Sequence, residues 1–67
     1  RLEIDYINEK YGLDLPVSDE YETLAGLILA HHGAIPKMND AIVVGNFRFT
    51  ILRATATKIE LVDIIVN

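Results

Sequence analysis

Sixty-seven residues, 51% of them hydrophobic, suffice for one modest core, because a chain this short buries only about 60% of its unfolded surface. The absence of cysteine excludes a disulfide framework and a thiolate metal site, and no apolar run approaches the roughly 20 residues that cross a bilayer as a helix. The formal charge is −4, with Glu3, Asp5, Glu9, Asp14, Asp19, Glu20 and Glu22 crowded early and Lys37, Arg48, Arg53 and Lys58 further on; a net basic stripe is missing, so nucleic acid is not an expected partner.

From Ile4 to Tyr11 the apolar residues Ile4, Ile7 and Tyr11 recur at helical spacing, Tyr6 flanks them, and Asp5, Asn8, Glu9 and Lys10 take the other side. The pattern predicts a short amphipathic helix ended by Gly12, since glycine readily adopts the left-handed conformation of a helix stop. Leu13-Asp14-Leu15-Pro16 reads as extended, because proline biases the residue before it away from helix.

Two starts compete for a second helix. Asp19 followed by Glu22 has the spacing of a capping box, whereas Thr23 can cap a shorter helix directly before the apolar run. From Leu24 to Ala30 apolar residues surround Gly26, which predicts a helix buried on most sides. Glycine within a helix costs up to about 1 kcal/mol relative to alanine, so Gly26 predicts a close backbone approach, with a crossing strand as the expected neighbour. Gly33 ends this helix and Pro36 prevents its resumption.

Asn39-Asp40 then reads as a turn, and the apolar period changes to that of strands. Ala41–Val44 is short and rich in β-branched residues, and Gly45-Asn46 suits a two-residue hairpin turn with glycine at its first central position. Phe47, Phe49 and Ile51 alternate with Arg48 and Thr50, predicting a strand with one buried face. Ile59–Val66 is a third strand whose alternation slips from Ile59 and Leu61 to Val62, Ile64 and Val66, which a β-bulge near Glu60-Leu61 reconciles. The turn at Thr55-Ala56-Thr57 lacks the usual Gly, Asn or Asp. Residues 1–67 therefore predict a single α+β domain of two layers, two helices packed on a three-stranded antiparallel sheet. With a start at Arg1 rather than methionine, the chain is expected to be a fragment of a larger protein, with any membrane segment upstream.

Reaction chemistry is sparse. His31-His32 point about 100° apart on a helix and lack a partner at the three- or four-residue spacing that chelation needs; imidazoles at a helix C-terminus are explained by its dipole. Asp19, Glu20 and Glu22 present oxygens to a hard cation but form no calcium-loop pattern, and carboxylates in a helix's first turn again follow the dipole. Ser18 is the single serine and has no histidine in register, Thr23 serves better as a cap, and glycines 12, 26, 33 and 45 are too scattered for a phosphate loop. The chain is accordingly expected to be no enzyme, to bind no flavin and to need no metal. Arg48, Arg53 and Lys58 are the candidate docking residues. Such charges commonly protect a strand edge; in the functional reading they meet an acidic domain or anionic headgroups.

A longer signature runs through the centre of the chain: Leu15-Pro16, then Glu20-Tyr21-Glu22-Thr23-Leu24-Ala25-Gly26, an apolar run, and Gly33-Ala34-Ile35-Pro36. It resembles the CorC/HlyC transporter-associated domain, the C-terminal module of hemolysin-like proteins and of magnesium and cobalt efflux proteins. His31-His32 depart from that family's pattern, which has apolar residues there. The resemblance implies an α+β unit related to one part of flavin-binding domains, with a short strand before the first helix of which Arg1–Glu3 would be the remnant. It also implies a parent with a membrane domain and paired CBS modules, and a cytoplasmic, non-catalytic accessory domain at a bacterial membrane that modulates ion transport. The family has no agreed catalytic residues to carry over. The alternatives are a homodimerisation module, pairing through Ile59–Val66, and a sensor of a small ligand or nucleotide.

Overall fold

The computed structural model describes residues 3–67. Two helices, α1 (Ile4–Tyr11) and α2 (Leu24–His32), precede three strands, β1 (Ala41–Val44), β2 (Phe47–Ala54) and β3 (Ile59–Val66). The strands form one antiparallel sheet in the order β1-β2-β3, and the helices pack on it to give an α+β fold. The expected remnant strand falls largely on Arg1 and Leu2, outside the described residues. Glu3 makes an isolated antiparallel bridge to Thr23, and the Ile4 amide donates to the Glu22 carbonyl at 2.9 Å.

Helix α1 ends at Gly12, whose φ of 64° lets the following Leu13 amide turn back to the Asn8 carbonyl at 3.1 Å. Ile4 and Ile7 are buried, but Tyr11 is exposed. The predicted stripe is therefore one residue shorter than its spacing suggested. Tyr11 is the last residue of a two-turn helix, where Lys10 Nζ lies 5.5 Å from the ring centroids of both Tyr6 and Tyr11. Asn8, assigned to the polar side by its spacing, has a structural task. Its Nδ2 donates to the Leu15 carbonyl at 3.1 Å and its Oδ1 accepts from the Leu15 amide at 2.8 Å. This pair of bonds fastens the extended segment so that the Leu15 side chain enters the core.

Thr23 wins the competition for the start of α2: its Oγ1 accepts from the Gly26 amide at 3.1 Å. Asp19, Glu20 and Glu22 thus lie in the turn before the helix rather than in its first turn, which contains no acid. The helix is also less buried than its composition predicts. Leu24, Leu27 and Ile28 are buried, whereas Leu29 and Ala30 face solvent, because a two-layer fold covers a helix on one side only.

Gly26 marks a close approach, but not by a strand. A Cβ built there would stand 2.8 Å from Tyr21 Cβ, 3.4 Å from Thr23 Oγ1 and 3.7 Å from Tyr21 Cα. The neighbour is the chain's own entry into α2, bent back by the Ser18–Tyr21 bridge. Gly33 closes the helix in the left-handed conformation, φ 90°.

The hairpin between β1 and β2 turns at Gly45, φ 59°, as expected of a glycine at the first central position. Ile42 and Val44 on β1 oppose Phe49 and Phe47 on β2, and the two phenyl rings stack at 6.4 Å between centroids. These four join Ile51, Leu15 and the buried residues of both helices in one core. The slip in β3 is accommodated twice. Pairing runs Ile51 with Val62, Arg53 with Leu61, then Ala54 with Ile59. Leu52 is therefore an extra residue on β2 and Glu60 a compensating one on β3, which restores the register. The glycine-free turn at 55–58 is built by a hydroxyl: Thr55 Oγ1 accepts from the Lys58 amide at 3.1 Å, and the Thr55 amide donates to the Lys58 carbonyl at 2.8 Å.

Candidate functional site

The sheet has two unlike surfaces. Phe47, Phe49 and Ile51 of β2 point to the helices, so the alternate residues Arg48 and Thr50 point away from them. The register aligns Val43, Arg48 and Ile65 in one row across the three strands, with Ala41, Thr50 and Asp63 beside it. Arg53 lies opposite Leu61, next to the irregularity at Leu52, and all three are exposed. Of the candidate docking residues, Arg48 thus sits at the middle of the outer face. Lys58, just before β3, lines a cleft on the helix side of the sheet together with Glu60 and Leu61.

That cleft, about 890 Å³, runs between the helices and β3 and is lined by Ile7, Leu13, Leu24, Val62, Ile64 and Val66. It exists because α2 packs over β1, at the far side of the sheet. Strand β3 consequently contributes only part-buried residues to the core, Ile59, Val62 and Ile64. Its second edge has no strand partner among the described residues.

His31 and His32 are exposed in the last turn of α2, and Asp19, Glu20 and Glu22 are exposed in the preceding turn. The Glu20 amide donates to Ser18 Oγ at 3.1 Å, so Ser18 organises this turn. Among the described residues, no group of three or more His, Asp or Glu side chains converges on a point where a metal ion would sit. The aliphatic residues of the outer face, Val43, Leu52 and Ile65, escaped the sequence reading. Their signal was present in the alternation: Val43 and Ile65 fall out of phase with the core residues of their own strands.

Two helices on one side of a short sheet, with charged and apolar side chains on the other, define a small α+β domain. The chain belongs to the CorC_HlyC family, described as the transporter associated domain, whose model matches residues 1–67. It is 38% identical over 47 residues to the UPF0053 inner membrane protein YoaE of Escherichia coli K12, covering 70% of this chain and 9% of that protein. It is 39% identical over 54 residues to the UPF0053 protein BU323 of Buchnera aphidicola from Acyrthosiphon pisum, covering 81% of this chain and 10% of that one. The chain therefore spans about a tenth of these relatives. Among solved structures it is similar to the region associated with the Mg2+ and Co2+ transporter CorC of Neisseria meningitidis MC58. The TM-score is 0.85 and the identity 26%, over 98% of this chain and 80% of that one. A second domain from the same organism matches with a TM-score of 0.79 and 27% identity, over 98% and 88% of the two chains. No helix among the described residues is long and apolar enough to cross a membrane.

Proposed function

We propose that this chain is one non-catalytic accessory domain that modulates ion transport, of the magnesium and cobalt type, by an attached membrane protein. It would act from the cytoplasmic side, by docking on the rest of that protein and its CBS modules, with Arg48, Arg53 and Lys58 as contact residues. The observation that carries this reading is the match of the whole chain to a transporter-associated family, joined to a fold that presents cations on its surface. The test is cation flux through the parent in three forms: intact, lacking this domain, and with the three cations reversed. Deletion should change flux. Reversal should do so more strongly at low salt, where exposed charges are less screened, while leaving stability nearly unaltered. Unchanged flux after deletion refutes the proposal.

A second reading, homodimerisation of the parent through β3, is favoured by the outer edge of that eight-residue strand, which has no strand partner among the described residues. Sedimentation at increasing concentration distinguishes it, since a dimer grows with concentration and a monomeric regulator does not.

A further inference from the structure

The solvated face of a half-covered antiparallel sheet ordinarily alternates to polar residues. Here it does not. Val43, Leu52 and Ile65 are 64%, 44% and 45% exposed and belong to the face or its irregular margin away from the helices, while Leu61, 50% exposed, stands on the edge strand where it also borders the cleft. In their midst stand Arg48 and Arg53, both on the central strand β2. Asp63 and Glu60 are confined to the edge strand β3, and β1 carries no charge at all. The centre of the face is thus apolar and cationic in a chain whose net charge is −4. Arginine among aliphatic side chains, with other charges held to the margin, is the composition of a contact surface rather than of a solvated one.

We propose that this outer face, centred on Arg48, docks onto an aliphatic protein surface that bears carboxylates and belongs to the same larger polypeptide, Lys58 making its own contact separately at the cleft. The proposal rests on the docking reading above and names the face and its partner's chemistry. Two features select the occupant. Two arginines beside an acidic edge strand fall short of the four to eight basic residues that hold a segment to anionic lipid. The strands are 4, 8 and 8 residues long, and half of each faces outward, so about ten side chains are offered. A stable complex between separate proteins uses roughly 20–30 residues a side. A face this small holds a partner well only where a linker supplies a local concentration in the millimolar range, and this chain matches only about a tenth of its longer relatives.

The test uses the full-length parent in membranes. A photoreactive benzoylphenylalanine replaces Val43 or Ile65 in turn, with Met38, exposed outside the sheet, as the control position. Crosslinks are mapped by mass spectrometry on mixed light- and heavy-labelled chains. The expected result is an intrachain crosslink from Val43 and Ile65, not from Met38, to a segment containing Asp or Glu. Arg48→Glu should reduce it about tenfold or more, as loss of a desolvated charge partner does, and Lys58→Glu should leave it unchanged. Reversing the mapped carboxylate to arginine should restore the crosslink in Arg48→Glu, which a merely unfolded variant would not allow. Crosslinks to lipid, crosslinks between light and heavy chains, yields no higher than at Met38, or indifference to Arg48→Glu would each overturn the proposal. Flux is read separately. A crosslink in a parent whose flux ignores deletion of the domain keeps the docking face and removes the regulatory role, whereas altered flux without the crosslink does the reverse.

Discussion

Replacing Gly26 by alanine should destabilise this domain, although the same exchange stabilises most helices. Alanine is preferred over glycine in a helix interior by about 0.8–1.0 kcal/mol. Against this, the added methyl would lie 2.8 Å from Tyr21 Cβ, closer than carbon atoms pack. A Cβ cannot swing aside as the end of a long side chain can; it moves only with its backbone. The Tyr21 backbone is tied on one side by the bridge to Ser18, and Tyr21 itself packs against the core. Overpacking of this kind costs typically 1–3 kcal/mol, so the net loss should be about 1 kcal/mol. In a domain of this size that lowers Tm by about 4–8 °C. The assay is thermal unfolding followed by circular dichroism for Gly26→Ala and Tyr21→Gly, singly and together. In the Tyr21→Gly background the obstructing atom is gone, so alanine at position 26 should stabilise by about 0.5–1 kcal/mol, and the cycle should show coupling of about 1–3 kcal/mol. A rise in Tm for Gly26→Ala alone would refute the close approach.

Asn8→Ala should cost about 1–3 kcal/mol, because it strips both partners from the backbone of Leu15, 2% exposed. Asn8→Asp, which keeps the acceptor but loses the donor, should fall between the two in chemical denaturation; a loss no larger than that of Glu9→Ala on the same helix would count against the brace. Purified domain should be colourless and should melt at the same temperature with and without a chelator, since no phosphate loop is present and no His, Asp or Glu cluster converges among the described residues. Flavin absorbance, or a Tm lowered by the chelator, would contradict this.

The helices, the hairpin turn and the family signature were all legible in the sequence, for a shared reason. Each depends on residues close together in the chain. Gly12 and Gly33 end helices through their own backbone freedom, Gly45 sets a turn between its two immediate neighbours, and the alternation of Phe47, Phe49 and Ile51 selects one face of one strand. The slip in β3 was visible in the same way, as a broken period within eight residues. What escaped were facts about pairs of distant segments. Asn8 has the chemistry of an exposed helix residue until Leu15 is brought within hydrogen-bonding distance. Gly26 indicates that something lies near, and only the folded path shows that it is Tyr21. Asp19 and Thr23 were equally good caps by composition, and the geometry that lets Thr23 Oγ1 reach the Gly26 amide decided between them. The same limit applies to the candidate surface. Three cations can be counted in a sequence, but whether they share a face depends on register and strand order. Pairing Val43 with Arg48 and Arg48 with Ile65 places one arginine among aliphatic residues on the outer face, because strand side chains alternate, while Lys58 borders the cleft left open because α2 packs over β1 rather than β3.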